Sequence, residues 1–225
     1  MGHPLDRPVW STLSTRQRSL AVGDGRALRF DPRYNVFGAA ADGSAENLAA
    51  LAELIPADGS LWVVEAEPFI PPPGVTVAKA AVCAQMVAKR PKPGDPDFAF
   101  EDLSEADAPQ MLALATLTEP GPFFAATHRL GAFVGIKQDG RLVAMAGERM
   151  RPEGYTEVSG VCTHPDHRGR RHAGRLMQVV ADRIVARGET PFLHSYASNL
   201  GAISLYESLG FSVRREVTAT VLART

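Results

Sequence analysis

The sequence predicts an α/β fold in which helices flank a mixed, mostly antiparallel sheet. From residue 97 onward, short apolar stretches that favour strands alternate with longer stretches whose apolar residues recur at helical spacing. The pair Asp139-Gly140 lies between two apolar runs and predicts an antiparallel hairpin with a tight turn. The predicted order of elements, β-α-α-β-β-β-α-β-α-β, fits a layered α/β arrangement.

The composition is that of an ordinary globular chain. The 225 residues are 45% hydrophobic and 22% charged, with a formal net charge of -1, so neither a nucleic acid nor a membrane is expected as a partner. No apolar stretch approaches the ~20 residues of a membrane-spanning helix, and the first residues lack the pattern of a signal peptide. Cys83 and Cys162 form no pairing pattern, which favours free thiols and a cytoplasmic location.

A segment rich in proline and charge, residues 89–98, predicts a division of the chain. We expect a smaller N-terminal α/β domain over 1–90 and a main domain over 97–225. In the first part a helix capped by Ser44 and two strands are predicted, at 44–55, 61–67 and 82–89. This part carries no phosphate loop, metal cluster or catalytic constellation.

The second part contains the clearer elements. Ser104 is expected to cap its first helix, and Leu176, Val179, Val180 and Ile184 form one apolar stripe on its longest helix. In chain order, a strand, two helices, a hairpin, a strand, the long helix, a strand, a helix and a last strand are predicted at 98–103, 104–117, 123–130, 132–150, 155–163, 173–188, 191–197, 199–210 and 211–223.

Residues 168–174, RGRRHAG, follow a predicted strand and lead into the long helix. A helix N-terminus presents unpaired N–H groups and a partial positive charge, and glycine lets the backbone approach an anion closely. Because the arginines can add charge-assisted hydrogen bonds, the segment predicts a phosphate cradle. It lacks the Lys-Ser/Thr pair of a nucleotide-binding P-loop and the spacing of a GxGxxG dinucleotide fingerprint.

Two motifs resemble the signatures of the GNAT superfamily of N-acetyltransferases. The family's acyl-CoA loop, R/Q-x-x-G-x-G/A, falls on residues 168–173, where Arg171 stands in place of a glycine. This departure tells against a need for positive φ at Arg171. The second signature, N-x-x-A-x-x-L-Y-x-x-x-G-F, is matched in register by Asn199, Ala202, Leu205, Tyr206, Gly210 and Phe211. The resemblance covers about 97–225 and implies a GNAT-like sheet.

The resemblance implies acetyl-CoA as co-substrate and a primary amine as acceptor. In the family, the loop amides hold the pyrophosphate, the preceding strand binds the pantetheine amides, and the second signature contacts the cofactor arm. The implied cofactor-binding residues are Val161, Cys162, Thr163, Arg168, Gly169, Arg170, Arg171, His172, Ala173, Gly174 and Asn199.

The implied reaction is direct attack of the amine on the thioester. Tyr206 is the expected general acid toward the CoA thiolate, and Glu157 is a candidate base, because some members carry a catalytic glutamate at its position. The backbone N–H of Val161 is a candidate for stabilising the oxyanion.

Simpler explanations stand beside these roles. Tyr206 lies at helical spacing with apolar residues and could pack in the core, Asn199 could simply cap its helix, and Glu157 could be an exposed strand acid. Cys162 has no identifiable base partner for a role as nucleophile. The histidines near it match no zinc pattern, so no metal is expected.

Two alternatives at the level of function stay open: a domain that senses acyl-CoA without turnover, and an unrelated nucleotide-binding domain. The acceptor is equally open among small amines, amino acids, antibiotics and protein N-termini. Residues 1–90 are expected either to wall the acceptor site or to mediate association, a homodimer included. They could also be a degenerate GNAT-like copy, which would not bind CoA because it lacks the loop.

Overall fold

The structure, a computed structural model, describes residues 2–225. The α-helices of these residues are α1 Pro8–Leu13, α2 Ala45–Glu53, α3 Ala108–Thr118, α4 His172–Ala186 and α5 Leu200–Ser208. The strands are β1 Ala21–Gly23, β2 Ala27–Phe30, β3 Gly38–Ala40, β4 Leu61–Glu65, β5 Val75–Val87, β6 Glu101–Leu103, β7 Phe133–Gln138, β8 Arg141–Glu148, β9 Tyr155–Thr163, β10 Thr190–Tyr196 and β11 Ser212–Arg224.

The main sheet has eight strands in the order β4-β11-β5-β10-β9-β8-β7-β6. All neighbours are antiparallel except β9 and β10, which are parallel. The prediction of a mixed, mostly antiparallel sheet flanked by helices is therefore confirmed. Strands β1, β2 and β3 form a separate antiparallel sheet.

The parallel pair β9–β10 separates along its length. Pairing runs from Tyr155 opposite Thr190 to Glu157 opposite Phe192, although β9 continues to Thr163 and β10 to Tyr196. Beyond Glu157, the edge of β9 that faces β10 therefore has backbone groups free to bind a ligand.

The expected division near residues 90–97 does not coincide with a division of the main sheet. Strands β4 and β5 come from the first part of the chain, yet β5 lies between β10 and β11, and β4 pairs with the outer edge of β11. Strand β5 begins at Val75, earlier than the predicted 82. The proline-rich segment thus joins two strands of one sheet, which is tolerated because closing a loop of this length costs little.

The local predictions hold where short-range chemistry decides. Ser44 caps α2, and Ser104 closes a capping box with Asp107 in the short 3-10 helix before α3. Asp139 and Gly140 have φ of 50° and 75°, as the hairpin turn between β7 and β8 requires. The predicted strand at 98–103 is limited to β6, and the predicted helix at 123–130 is a 3-10 helix, Thr127–Leu130.

Helix α4 packs its apolar face on the main sheet. Of the predicted stripe, Leu176, Val180 and Ile184 are buried and Val179 is partly buried, and Met177 and Ala181 are buried beside them. This face shares one core cluster with Val134, Ala144, Ala146 and Val158 on β7, β8 and β9. This packing fixes the N-terminus of α4 beside the end of β9, because the helix cannot slide without exposing the stripe.

Candidate active site

Two cavities open where β9 and β10 separate. The first, here called the loop cleft, has a volume of about 790 Å³ and is bounded by the end of β9, the loop before α4, the first turns of α4, and α5. The second, here called the inner cavity, has a volume of about 310 Å³ and is bounded by β4, β5, β9, β10, β11, α5 and the segment 119–122 after α3. Val161 and Tyr206 line both cavities, so the cavities meet at these two residues.

Ten of the eleven predicted binding residues line the loop cleft, namely Val161, Cys162, Thr163, Arg168, Gly169, Arg170, Arg171, His172, Ala173 and Gly174. The eleventh, Asn199, lines the inner cavity, and its Oδ1 accepts a hydrogen bond from the N–H of Ala202 at 3.1 Å. Glu157 is completely buried and lines neither cavity.

The loop before α4 has two residues in the left-handed region. Gly169 has φ 78°, and Arg171, at the N-cap of α4, has φ 61° and ψ 17°. The expectation that Arg171 avoids positive φ is therefore wrong. The chain adopts the bend of a glycine-containing loop with an arginine, and the first N–H groups of α4 remain free toward the cleft.

Replacing Arg171 by glycine tests whether this bend is strained. A left-handed non-glycine residue costs ~1–2 kcal/mol, and the greater freedom of glycine in the unfolded chain offsets about half of that. We expect Arg171→Gly to raise the free energy of unfolding by up to about 1 kcal/mol in urea titrations. Arg170→Gly is the control: Arg170 has no positive φ, so this change should lower stability by about 0.5–1 kcal/mol. Equal losses in both variants would contradict the strain.

The loop cleft contains buried polar atoms that have no partner within the described residues. They are Thr163 Oγ1, His167 Nδ1 and both ring nitrogens of His172. Burial lowers the pKa of His172, and the charges of Arg170, His167 and Arg175 lower it further. Because buried polar groups are normally hydrogen-bonded, these atoms and the surrounding arginines fit an anionic ligand rich in acceptors.

Glu157 is held by two partners. Its carboxylate accepts hydrogen bonds from Arg149 Nε and Nη2, both at 2.8 Å, and its Oε1 lies 2.8 Å from His194 Nδ1. Burial raises the pKa of Glu157, but the Arg149 charge and the bonds from Arg149 and His194 outweigh this effect and lower the pKa to about 2. Glu157 is therefore a buried carboxylate, not the exposed strand acid of the simpler explanation.

The tautomer of His194 follows from its neighbours. Arg214 Nη1 donates to Gln85 Oε1 at 2.7 Å, and Gln85 Nε2 donates to the Leu5 carbonyl at 2.7 Å, so the orientation of this amide is fixed. Gln85 Nε2 also lies 3.1 Å from His194 Nε2, which must then be the acceptor. The proton of His194 consequently lies on Nδ1 and points to Glu157.

Tyr206 lies on α5, where the two cavities meet. Burial raises the pKa of its phenol, so the hydroxyl is protonated at neutral pH and can donate. The Cys162 thiol has its pKa raised to about 11, chiefly by burial, which disfavours the thiolate that a nucleophile needs.

The lining of the inner cavity comes largely from residues that the sequence did not single out. Arg149 and His194 lie on either side of Glu157, while aromatic and apolar wall residues are supplied by Phe37, Trp62, Val64, Cys83, Tyr196 and Ala219. No short motif links these positions. Only the insertion of β5 between β10 and β11, with β4 alongside, brings them together.

Residues 2–225 contain neither a candidate metal site nor a candidate membrane-spanning helix. No group of three or more His, Cys, Asp or Glu is placed to hold a metal ion. None of the described helices has the length and apolar character needed to cross a membrane.

Comparison with known proteins identifies the family. Residues 133–220 match the family model described as FR47-like protein, and no curated protein matches the chain. A crystal structure from the GNAT family, from Novosphingobium aromaticivorans DSM 12444, is 51% identical with a TM-score of 0.94, and the match covers 100% of both chains.

Two further structures share the fold at lower identity. A GCN5-related N-acetyltransferase from Kribbella flavida is 20% identical, with a TM-score of 0.63 over 96% of this chain and 95% of that one. A GCN5-related N-acetyltransferase-like protein from Streptococcus suis 89/1591 is 14% identical, with a TM-score of 0.61 over 96% and 92%. From the full-length match at 51% identity, the chain belongs to the GNAT family of N-acetyltransferases, whose co-substrate is acetyl-CoA.

Proposed function

We propose that this protein transfers an acetyl group from acetyl-CoA to a primary amine by direct attack of the amine on the thioester. The observation that carries the proposal is the meeting of the two cavities at Val161 and Tyr206. One cavity has the charge and loop geometry for a diphosphate-containing ligand, and the other adjoins it and suits a second small molecule.

The loop cleft would hold the CoA part. The N–H groups from Gly169 to Gly174, at the start of α4, face a pyrophosphate in this arrangement, with arginine side chains adding charge. The free edge of β9 offers the backbone groups of Val161 and Thr163 to the pantetheine amides. Asn199 lines the inner cavity, so any contact between Asn199 and the cofactor arm would be near the thioester end of the cofactor.

The chain's residues would manage the protons and charge of the reaction. The acceptor ammonium gives one proton to solvent, and its nitrogen then bonds to the thioester carbon while the Val161 N–H stabilises the oxyanion. When the C–S bond breaks, the Tyr206 hydroxyl protonates the CoA sulfur. The second proton lost by the nitrogen restores the phenol, so the products are an amide, CoA thiol and one released proton.

Glu157 is assigned a positioning role in this proposal. Its carboxylate contacts Arg149 and His194, both of which line the inner cavity, but it reaches neither cavity itself. A carboxylate with a pKa of about 2 is also a weak base at neutral pH. We infer that Glu157 fixes its two partners and does not take the proton from the amine directly.

The first part of the chain would wall the acceptor site. Phe37, Trp62, Val64 and Cys83 all come from residues 1–90 and line the inner cavity. These lining residues support a role of residues 1–90 as a wall of the acceptor site rather than in association between copies.

The proposal is tested by calorimetric titration with acetyl-CoA, with ATP as comparison, together with a free-thiol assay over a panel of amines. We expect micromolar binding of acetyl-CoA, weaker binding of ATP, and amine-dependent thiol release. Acetyl-CoA binding without thiol release for any amine would favour the sensor, and binding of ATP without binding of acetyl-CoA would favour the unrelated nucleotide-binding domain.

A matched pair of glycine variants tests the loop. Gly169 and Gly188 have φ of 78° and 77°, and a Cβ at either would meet no atom within 4 Å, but only Gly169 lines the loop cleft. Alanine at each position should cost a similar ~1 kcal/mol of stability. We expect only Gly169→Ala to weaken acetyl-CoA binding, by about 10-fold, because its methyl group obstructs close approach of the phosphate to the backbone. Equal affinities for the two variants would contradict the assigned loop.

A further inference from the structure

Arg149 presents a preorganised guanidinium to the inner cavity. Its side chain is 12% exposed, and it lines the cavity together with Tyr206. Glu157 holds it from one side, and the centroid of the Phe37 ring lies 4.9 Å from the guanidinium carbon. The orientation of the guanidinium plane is therefore set before any ligand arrives.

One edge of this guanidinium remains available. The bonds to Glu157 use Nε and Nη2, which form the side edge of the group. Within residues 2–225, Nη1 of Arg149 has no hydrogen-bond partner, and it is accessible to solvent. The end edge, Nη1 with the second N–H of Nη2, can thus bind another carboxylate in the usual two-bond geometry.

The hydrogen bonds of Glu157 leave the end edge of Arg149 to such a second anion. The Glu157 carboxylate also has His194 Nδ1 at 2.8 Å and the Met150 N–H at 3.4 Å, so several donors share its charge. Glu119, the only acid among the described residues that lines the inner cavity, is exposed to solvent. An anionic group at the end edge of Arg149 would bind the cation directly, whereas the Glu157 carboxylate lies on the side edge and its repulsion acts over a longer distance.

The remaining walls define the rest of the ligand. Phe37 and Trp62 pack edge to face with centroids 6.1 Å apart, and Tyr196 and Val64 line the same space. The volume of about 310 Å³ suits a single small molecule. Because Arg149 and Tyr206 line this one small cavity, the anionic group and the reacting amine must belong to a compact molecule.

We propose that the acceptor is a free α-amino acid with an apolar or aromatic side chain, whose carboxylate binds the end edge of Arg149. The inference rests on the proposed function for the identity of the reacting group, an amine. It separates a free amino acid from a protein N-terminus, because the first residue of a peptide has no α-carboxylate.

Matched ligands test the class on the wild-type protein. Phenylalanine, phenylalaninamide and phenethylamine share one apolar body, and only the first has a carboxylate. Calorimetric titration of each into the protein saturated with CoA measures binding without turnover. We expect phenylalanine to bind about 10- to 100-fold more tightly than the other two, as for charge-assisted hydrogen bonds in a buried site. Leucine and isoamylamine should show the same order.

Equal binding of the three ligands, tighter binding of phenethylamine, or no binding of any would overturn the inference. Thiol release distinguishes this failure from that of the proposed function. Turnover of phenethylamine at least as fast as that of phenylalanine would leave the acetyltransferase intact and remove only the amino-acid class. Absence of acetyl-CoA binding would be a failure of the proposed function instead.

Variants of two arginines assign the effect to the guanidinium edge. Arg149→Lys keeps a positive charge beside Glu157 but loses the planar fork, so phenylalanine should bind about 10-fold or more weakly while phenethylamine changes little. Arg33→Lys is the control, because Arg33 makes the same side-edge pair with Asp31 but is exposed and lines neither cavity. Equal losses for both ligands in Arg149→Lys would indicate a structural effect alone and contradict the assignment.

Discussion

Tyr206→Phe should lower kcat by about 100- to 10,000-fold, the usual contribution of a positioned general acid. The variant loses only a hydroxyl, and the ring that lines the two cavities remains. Since Tyr206 acts at the departing sulfur and not on the nucleotide, acetyl-CoA affinity should stay within about threefold. Single-turnover thiol release and calorimetric titration measure the two quantities separately.

Tyr34→Phe serves as the matched control for this prediction. Tyr34 is another partly buried tyrosine, it packs in a different apolar cluster, and it lines neither cavity. Its kcat should equal that of the wild type. A kcat for Tyr206→Phe within a few-fold of the control would mean that the thiolate leaves without a proton from this residue.

The fold could be predicted where neighbouring residues decide it. The cap at Ser44, the turn at Asp139-Gly140 and the apolar stripe of α4 are local signals, and the structure confirms each of them. The position of β5 could not be predicted in this way, because its small and branched residues fit a strand in any sheet. The insertion of β5 between β10 and β11 is a long-range pairing that no local pattern specifies.

The candidate site could likewise be predicted only where residues close in the sequence form it. The loop cleft is formed mostly by one continuous stretch from Val161 to Gln178, which includes both a strand end and a helix start, so a motif could locate it. The inner cavity combines Phe37, Arg149 and His194, which are far apart in the chain. Arg171 shows a further limit, since a loop shape normally associated with glycine is adopted here by another residue.

Glu157→Ala should lower the free energy of unfolding by about 3–5 kcal/mol, because it leaves the nearly buried Arg149 guanidinium without its counter-charge. Glu157→Gln keeps the shape and should recover part of this loss. Urea titration at pH 7 measures both. A loss below about 1 kcal/mol for the alanine variant would mean that Arg149 reaches solvent when its partner is removed.

The pH dependence provides a second readout of the same pair. The pKa of Glu157 is lowered from an ordinary 4.5 to about 2, so its carboxylate stabilises the fold above the unfolded-state pKa. This stability should be lost progressively as the pH falls from about 4.5 toward 2, and Glu157→Gln should lack this part of the acid dependence.

Glu105→Gln tests whether burial, rather than ion pairing alone, determines how much a carboxylate contributes to stability. Glu105 has the same kinds of partner, with two bonds from Arg129 and one contact to His128, and its pKa is also lowered to about 2. Because Glu105 is exposed, solvent screens these contacts, and the variant should change the stability little at any pH. Equal effects of Glu105→Gln and Glu157→Gln would mean that pairing alone, without burial, sets the contribution of these carboxylates. A much larger effect at Glu157 would show that its burial between Arg149 and His194 makes this carboxylate the structural support of the inner cavity.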